Sequence, residues 1–144
     1  ALPEVNAKQT IRLMLGAAQR ADQASFLTVL KRFGSIQSPG LLSFPQPGFT
    51  LTLDFPNRGE KTLKLMQELD DLTVAAGGRV NPYKDARMSA ETFAASFDDW
   101  RVLESFRDPV IVSDFWKRTA LKLPKNGNES NFSELIQSVE SSVS

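Results

Sequence analysis

The sequence predicts a protein of the α+β class. A strand with strict alternation of apolar and polar side chains covers residues 49–55, and an amphipathic helix follows it at 57–76. The chain has 144 residues, of which 41% are hydrophobic and 24% charged, so it can bury one core of ordinary size. These observations together indicate one folded domain that combines strands with helices.

The elements before that strand differ in type. Residues 3–20 carry apolar side chains at helical spacing from Ile11 onward, and Pro3 suits a first helical turn because no N–H is needed there. Residues 26–33 form a short run rich in strand-forming side chains, which predicts a strand. Residues 34–40 contain glycine, serine and proline and are expected to form a loop.

The strand at 49–55 has two different faces. Its odd-numbered residues are all apolar, so this face must meet a core. Its even-numbered residues are Thr50, Thr52 and Asp54. A face rich in threonine suits either the wall of a pocket or an ordinary exposed sheet face, and the strand pattern alone favours neither.

The helix at 57–76 leads into a predicted crossover. Asn57 is placed to cap its start, and the glycine pair beginning at Gly77 ends it. Residues 79–81 are predicted to form a further strand that Pro82 stops. The order strand, helix, strand is that of a βαβ-like crossover.

The rest of the chain predicts shorter elements. Helices are expected at 89–97 and 113–121, with a mixed region between them. Residues 124–133 are polar and rich in turn-forming residues, which predicts a linker. The last stretch suits either a weak amphipathic helix or a frayed tail.

The composition excludes several classes of function. Lysine plus arginine and aspartate plus glutamate each number 17, so the net charge is zero and no nucleic-acid partner is expected. The chain has no cysteine and no histidine, which excludes thiolate metal sites, cysteine nucleophiles and serine–histidine triads. No metal site is expected from carboxylates, because the neighbouring pairs Asp70-Asp71 and Asp98-Asp99 would point apart on a helix.

Other features concern the origin of the chain. No apolar run approaches the roughly 20 residues of a membrane-spanning helix, and the start does not match a signal peptide. The absence of cysteine is typical of a reducing compartment, so a cytoplasmic location is expected. Because the chain begins with Ala1 and not with methionine, we expect a processed or excised piece of a protein.

The densest group of polar side chains lies at residues 81–87. Lys84 supplies a point charge, Arg87 a planar fork of donors, and Asp85 can orient either. The group suits either an anion-stabilising site or a solvated turn with a local ion pair worth under about 1 kcal/mol. Lys31, which has apolar neighbours on its strand, either reaches a ligand or extends along the sheet to solvent.

Three segments resemble the C-terminal part of FAD-linked oxidases of the vanillyl-alcohol oxidase superfamily. They are Ser-Phe-Pro-Gln-Pro-Gly-Phe-Thr-Leu-Thr-Leu-Asp-Phe-Pro at 43–56, Gly-Gly-Arg-Val-Asn-Pro-Tyr-Lys-Asp-Ala-Arg at 77–87 and Val-Ser-Asp-Phe-Trp-Lys-Arg at 112–118. The similarity runs over residues 26–121. Within the superfamily, the sequence resembles oxidases of lipid-linked sugars more closely than it resembles the aldonolactone oxidases.

The resemblance implies a substrate-binding (cap) domain over residues 1–124, followed by a polar linker and tail at 125–144. Such a domain is α+β and ferredoxin-like, with an antiparallel sheet and helices packed on one face. FAD would be bound mainly by an N-terminal domain of the same parent protein, which this chain lacks. The substrate would carry a CH–OH group on a sugar, a sugar lactone or a lipid-linked sugar, and this chain alone would be inactive.

The resemblance also implies roles for individual residues. Lys84 matches a lysine at the flavin and substrate, where its charge would stabilise the reduced, anionic flavin or polarise a sugar hydroxyl. Lys84 and Arg87 are therefore expected at the cofactor. Substrate-binding positions are expected at the residues that share the pocket wall, which are Lys31, Thr50, Thr52, Asn81 and Tyr83. At Asn81 the lipid-sugar oxidases carry an aromatic residue, so the resemblance does not determine the substrate.

A different class of function fits the same sequence. Without histidine, cysteine or a complete catalytic set, the chain also suits a non-catalytic, ferredoxin-like binding or self-association module. A homodimer through the threonine-rich face is expected if that face is not covered by another domain.

Overall fold

The fold is α+β, as predicted, with a three-stranded antiparallel sheet and helices packed on one of its faces. A computed structural model of the chain describes residues 1–84 and 87–124, and for Lys84 it describes the backbone only. The predicted linker and tail at 125–144 lie outside the described residues. The elements in chain order are β1 (Leu2–Pro3), α1 (Glu4–Arg20), β2 (Leu27–Phe33), β3 (Gly48–Asp54), α2 (Glu60–Ala75), a 3-10 turn (Pro82–Lys84), α3 (Ala90–Ser96), α4 (Trp100–Phe106), α5 (Asp114–Arg118) and a last 3-10 turn (Ala120–Lys122).

The sheet has the strand order β1-β3-β2, so β3 is central. β2 pairs with β3 over the whole length of both strands, from Leu27 opposite Asp54 to Phe33 opposite Gly48. β1 pairs only with the beginning of β3, where Leu2 lies opposite Phe49. All neighbouring strands are antiparallel.

The main core lies between this sheet and the helices α1 and α2. Leu2, Ala17 and Leu65 are almost completely buried there, and the apolar side chains of β3 pack against them. The alternation predicted for residues 49–55 is confirmed, because the odd-numbered side chains contact this core. Burial of these apolar side chains supplies the driving force that holds the two helices on one face.

A second, aromatic cluster contains the helices α3, α4 and α5. Phe93 is fully buried at its centre, and the rings of Phe115 and Trp116 meet it edge-on at centroid distances of 5.5 and 5.6 Å. The indole N–H of Trp116 donates to the carboxylate of Glu104, which satisfies the polar atom of that ring. Arg107 donates to the same carboxylate, and this hydrogen bond raises the pKa of its guanidinium.

The strand predicted at 79–81 is wrong, and with it the βαβ-like crossover. Only Arg79 pairs, through two reciprocal hydrogen bonds with Ala1 of 2.7 and 2.8 Å. The next N–H, that of Val80, donates to the side chain of Ser96 in α3, so the backbone leaves the sheet. Pro82 then begins a 3-10 turn.

The start of α2 also differs from the prediction. The helix begins at Glu60 and not at Asn57, and its preceding residue is Gly59 in a left-handed conformation with φ of 67°. The side chain of Asn57 accepts a hydrogen bond from the Gly59 N–H, so it stabilises the turn before the helix.

Among residues 1–84 and 87–124, no helix combines the length and the apolar character needed to cross a bilayer.

Gly48 lies where β1 pairs with the start of β3, and the close approach of the two strands requires a glycine at this position. Its φ is +137°, and a Cβ atom there would lie 2.1 Å from the carbonyl oxygen of Leu2. We expect Gly48→Ala to lower the free energy of unfolding by more than about 2 kcal/mol, because it adds backbone strain to a steric clash. Urea unfolding monitored by circular dichroism measures this loss.

Gly34 provides the matched control, since a Cβ atom added there would contact nothing within 4 Å. Gly34→Ala should change the free energy of unfolding by no more than about 0.5 kcal/mol. Equal stability of the two variants would contradict the close approach of β1 to β3.

Candidate functional site

The candidate site lies on the side of the sheet away from α1 and α2. Directly paired residues on antiparallel strands share a face, so Lys31 lies beside Thr50, and Thr52 lies beside Val29. We call the side of the sheet that carries Lys31, Thr50 and Thr52 the polar face. Three of the residues expected at the substrate are thus brought together by one strand pairing.

The three side chains differ in exposure. Lys31 and Thr52 are exposed, whereas Thr50 is 7% exposed. The two hydroxyl groups can donate and accept hydrogen bonds, and the lysine adds a cation with three donors. Lys31 and Thr52 are thus available to a ligand with hydroxyl or carbonyl oxygens, whereas the hydroxyl group of Thr50 is largely covered.

Arg79 joins the same face and was not predicted. Leu2 lies opposite Phe49, so Ala1 is next to Thr50, and the reciprocal hydrogen bonds place Arg79 next to Ala1. Lys31, Thr50, Ala1 and Arg79 therefore form one row across the sheet. The guanidinium of Arg79 donates to the carbonyl oxygen of Ser43 at 2.7 Å, which brings the loop before β3 to this end of the polar face.

Asn81 and Tyr83 follow Arg79 along the chain, after the backbone has left the sheet. The side-chain oxygen of Asn81 accepts a hydrogen bond from the Tyr83 N–H at 3.0 Å, which starts the 3-10 turn. Tyr83 is 82% exposed, so its ring is available to a ligand or to another domain. The backbone of Lys84 ends the turn, and the position of the Lys84 side chain lies outside the described part of the chain.

Arg87 is held by a buried carboxylate. Its two terminal nitrogens donate to the two oxygens of Asp70 in α2, at 2.6 and 3.0 Å. The side chain of Asp70 is 8% exposed and that of Arg87 is 23% exposed. The expected contact of Arg87 with the cofactor stays a prediction, and the structure adds a structural role for this guanidinium.

Two cavities lie on the helix side of the sheet. One of about 520 Å³ includes Leu15, Thr28 and Arg58 in its wall, and one of about 330 Å³ is formed by the first turns of α1 with Leu30 and Phe49. Lys31, Thr50 and Thr52 line neither cavity. Lys31 and Thr52 are exposed on the polar face, so another body can cover the face at these two positions.

The polar face can accept a flavin ring on chemical grounds. A flavin presents a flat ring system with carbonyl oxygens and ring nitrogens at its edge, which accept hydrogen bonds. Lys31, Thr50 and Thr52 supply donors and a positive charge on a sheet surface. Within residues 1–84 and 87–124, no three carboxylates come together to hold a metal ion.

Comparisons with known proteins relate the chain to an oxidase. It is 39% identical over 109 residues to decaprenylphosphoryl-β-D-ribose oxidase of Mycolicibacterium smegmatis. The aligned region covers 72% of this chain and 23% of that protein. It is 43% identical over 98 residues to an uncharacterized protein in the mprA 5′ region of Streptomyces coelicolor, which covers 65% of this chain and 26% of that protein. The chain thus spans about a quarter of the length of these curated relatives. No protein-family model matches it.

The Asp70–Arg87 pair should contribute strongly to stability. Arg87→Met removes the cation next to a buried carboxylate, so we expect the free energy of unfolding to fall by about 3 kcal/mol or more. Urea unfolding of the 144-residue chain measures this effect.

Glu68 offers a control on the same helix. It pairs with Arg20, but both side chains are well exposed, so Glu68→Gln should cost less than about 1 kcal/mol. If Arg87→Met costs no more than Glu68→Gln, the buried pair does not stabilise the fold more than the exposed pair does.

Proposed function

We propose that this chain is the substrate-binding domain of an FAD-dependent oxidoreductase that acts on a CH–OH group of a sugar, a sugar lactone or a lipid-linked sugar. FAD would be held mainly by an N-terminal domain of the same parent protein. The polar face would form one wall of the active site, and the chain alone would be inactive. The cytoplasmic location expected from the absence of cysteine stays a prediction.

This proposal is supported by the agreement between the sequence similarity to an oxidase and the arrangement of side chains on the polar face. The similarity to decaprenylphosphoryl-β-D-ribose oxidase extends over 72% of the chain. Independently, the strand register collects Lys31, Thr50 and Thr52 on the one face that α1 and α2 leave open. A covered active site needs such a surface, because excluding water strengthens the electrostatic contacts inside it.

The chain's own residues would bind and orient the substrate. The hydroxyl groups of Thr50 and Thr52 would hydrogen-bond to hydroxyl groups of a sugar, and Lys31 would attract an anionic or strongly polarised oxygen. Lys84, which matches a lysine at the flavin and substrate in the oxidases that the chain resembles, would stabilise negative charge at the reacting centre. Bound FAD would supply the redox chemistry by accepting a hydride from the alcohol carbon.

Lys84 is the residue through which the catalytic role can be tested. In the full-length protein with bound FAD, we expect Lys84→Met to slow flavin reduction at least 100-fold, about the size of one lost electrostatic contact to a developing charge. Stopped-flow absorbance after anaerobic mixing with sugars, sugar lactones and lipid-linked sugars measures the rate for each donor that reduces the flavin.

Lys64→Met is the matched control, because Lys64 is an exposed lysine on α2. This variant should reduce its flavin at the rate of the unmodified protein. A Lys84→Met protein that retains its FAD and reacts at the normal rate would remove Lys84 from the mechanism.

A second candidate function is self-association, and one observation favours it. Within the part of the chain that the structure describes, β2 pairs with no strand on its outer edge. Three apolar side chains in or just before β2 are well exposed: Phe26 at 76%, Leu27 at 49% and Leu30 at 55%. An open edge strand with apolar side chains can pair with a second copy of the chain. In that function the chain would act as a binding module without catalysis.

Sedimentation of the isolated chain tests this second function. Self-association predicts a dimer that Leu30→Lys, in β2, converts to a monomer. The control Leu63→Lys, at an exposed leucine of α2, should leave the dimer intact. A monomer at all soluble concentrations would contradict self-association through β2.

A further inference from the structure

We propose that the smaller of the two cavities, between α1 and β2, binds a single-chain lipid with an anionic head group. Lys8 and Arg12 would hold the head group. Leu30 and Phe49 would contact the hydrocarbon chain. The cavity lies on the helix side of the sheet, so this site is separate from the polar face and does not depend on the proposed function.

The cavity exists because α1 packs over β3 and leaves the helix side of β2 open. Leu30 in β2 lies opposite Leu51 in β3, so the two side chains are on the same side of the sheet. Leu51 packs against the main core, whereas Leu30 is 55% exposed. An apolar part of the sheet is therefore open to a ligand beside the helix.

The wall of the cavity is largely apolar. Ala7 and Ile11 contribute to it from α1, and Leu30 and Phe49 contribute from the sheet. The volume of about 330 Å³ is in the range of small-molecule sites. A hydrocarbon chain that fills this space removes its own surface and that of the wall from water, which favours binding.

Two cations border the same wall. Lys8 and Arg12 are one helical turn apart, so they lie on one face of α1 and can reach the same group. Among the described residues, no carboxylate lies within ion-pair distance of either cation. Glu4, the remaining charged residue of the wall, is paired with Arg32 at 2.8 Å. The cavity thus combines an apolar wall with an excess of positive charge.

This combination favours a ligand that is both apolar and anionic. The fork of donors of Arg12 and the ammonium group of Lys8 suit the oxygens of a phosphate or a carboxylate. A neutral lipid would leave both cations without a partner, and a free anion would leave the apolar wall in water. A protein partner is less suited, because a stable interface takes about 20–30 residues from each side, whereas seven residues line this cavity.

The test is calorimetric titration of the full-length protein, with bound FAD, with decyl phosphate below its critical micelle concentration. We expect one molecule to bind at the cavity. Inorganic phosphate and decanol should each bind at least about tenfold more weakly, because each lacks one half of the ligand. Absence of decyl phosphate binding, as when another part of the full-length protein fills the cavity, would overturn the proposal.

Charge variants locate the head group. The double variant Lys8→Met, Arg12→Met should bind decyl phosphate at least about tenfold more weakly, since it loses two charge-assisted contacts. Both side chains are exposed, so the fold should be retained. Lys64→Met, at an exposed lysine of α2, is the matched control and should bind with unchanged affinity. Unchanged affinity in the double variant would overturn the assignment of the head group.

Two further comparisons locate the hydrocarbon chain and the side of the sheet. Leu30→Ser should weaken binding, whereas Leu63→Ser, at an exposed leucine of α2, should not. Lys31 follows Leu30 in β2 but lies on the polar face, so Lys31→Met should leave the affinity unchanged. Loss of binding in Lys31→Met with normal binding in Leu30→Ser would place the ligand on the polar face and overturn the proposal. The flavin-reduction rate of Lys84→Met tests the proposed function separately.

Discussion

The register in which β2 pairs with β3 determines which side chains of the sheet meet the core and which remain on the opposite side. Because side chains alternate along a strand, a slip of one residue would move every apolar side chain of β3 from the core to the opposite face. The observed register, with Lys31 opposite Thr50, satisfies the core and the polar face at the same time. The burial that holds α1 and α2 therefore also fixes which side chains remain available on the other side.

Two polar contacts join the elements of the main core to those of the aromatic cluster. Asp70 in α2 holds Arg87, and the Val80 N–H donates to Ser96 in α3. Along the chain, Val80 precedes the 3-10 turn that ends at Lys84, and Arg87 follows it.

The alternating pattern of residues 49–55 was sufficient to predict both faces of the central strand, because a period of two has a direct geometric meaning. The strand predicted at 79–81 failed because its local preference was overridden by a tertiary contact, the hydrogen bond from Val80 to Ser96. Arg79 was missed for a related reason, since its place beside Ala1 depends on a pairing between residues 78 positions apart. The link between Asp70 and Arg87 likewise needs the folded chain, because no sequence pattern gives the partner of a single buried carboxylate.

The central claim is that the polar face meets the flavin-binding part of a larger protein. Photo-crosslinking with p-benzoylphenylalanine compares two exposed threonines on neighbouring strands, Thr52 on the polar face and Thr28 on the helix side. In the full-length protein with bound FAD, mass spectrometry should find crosslinks from position 52 to the FAD-binding domain or to FAD, and none from position 28. Crosslinks from position 28 alone, or none from position 52, would contradict the claim.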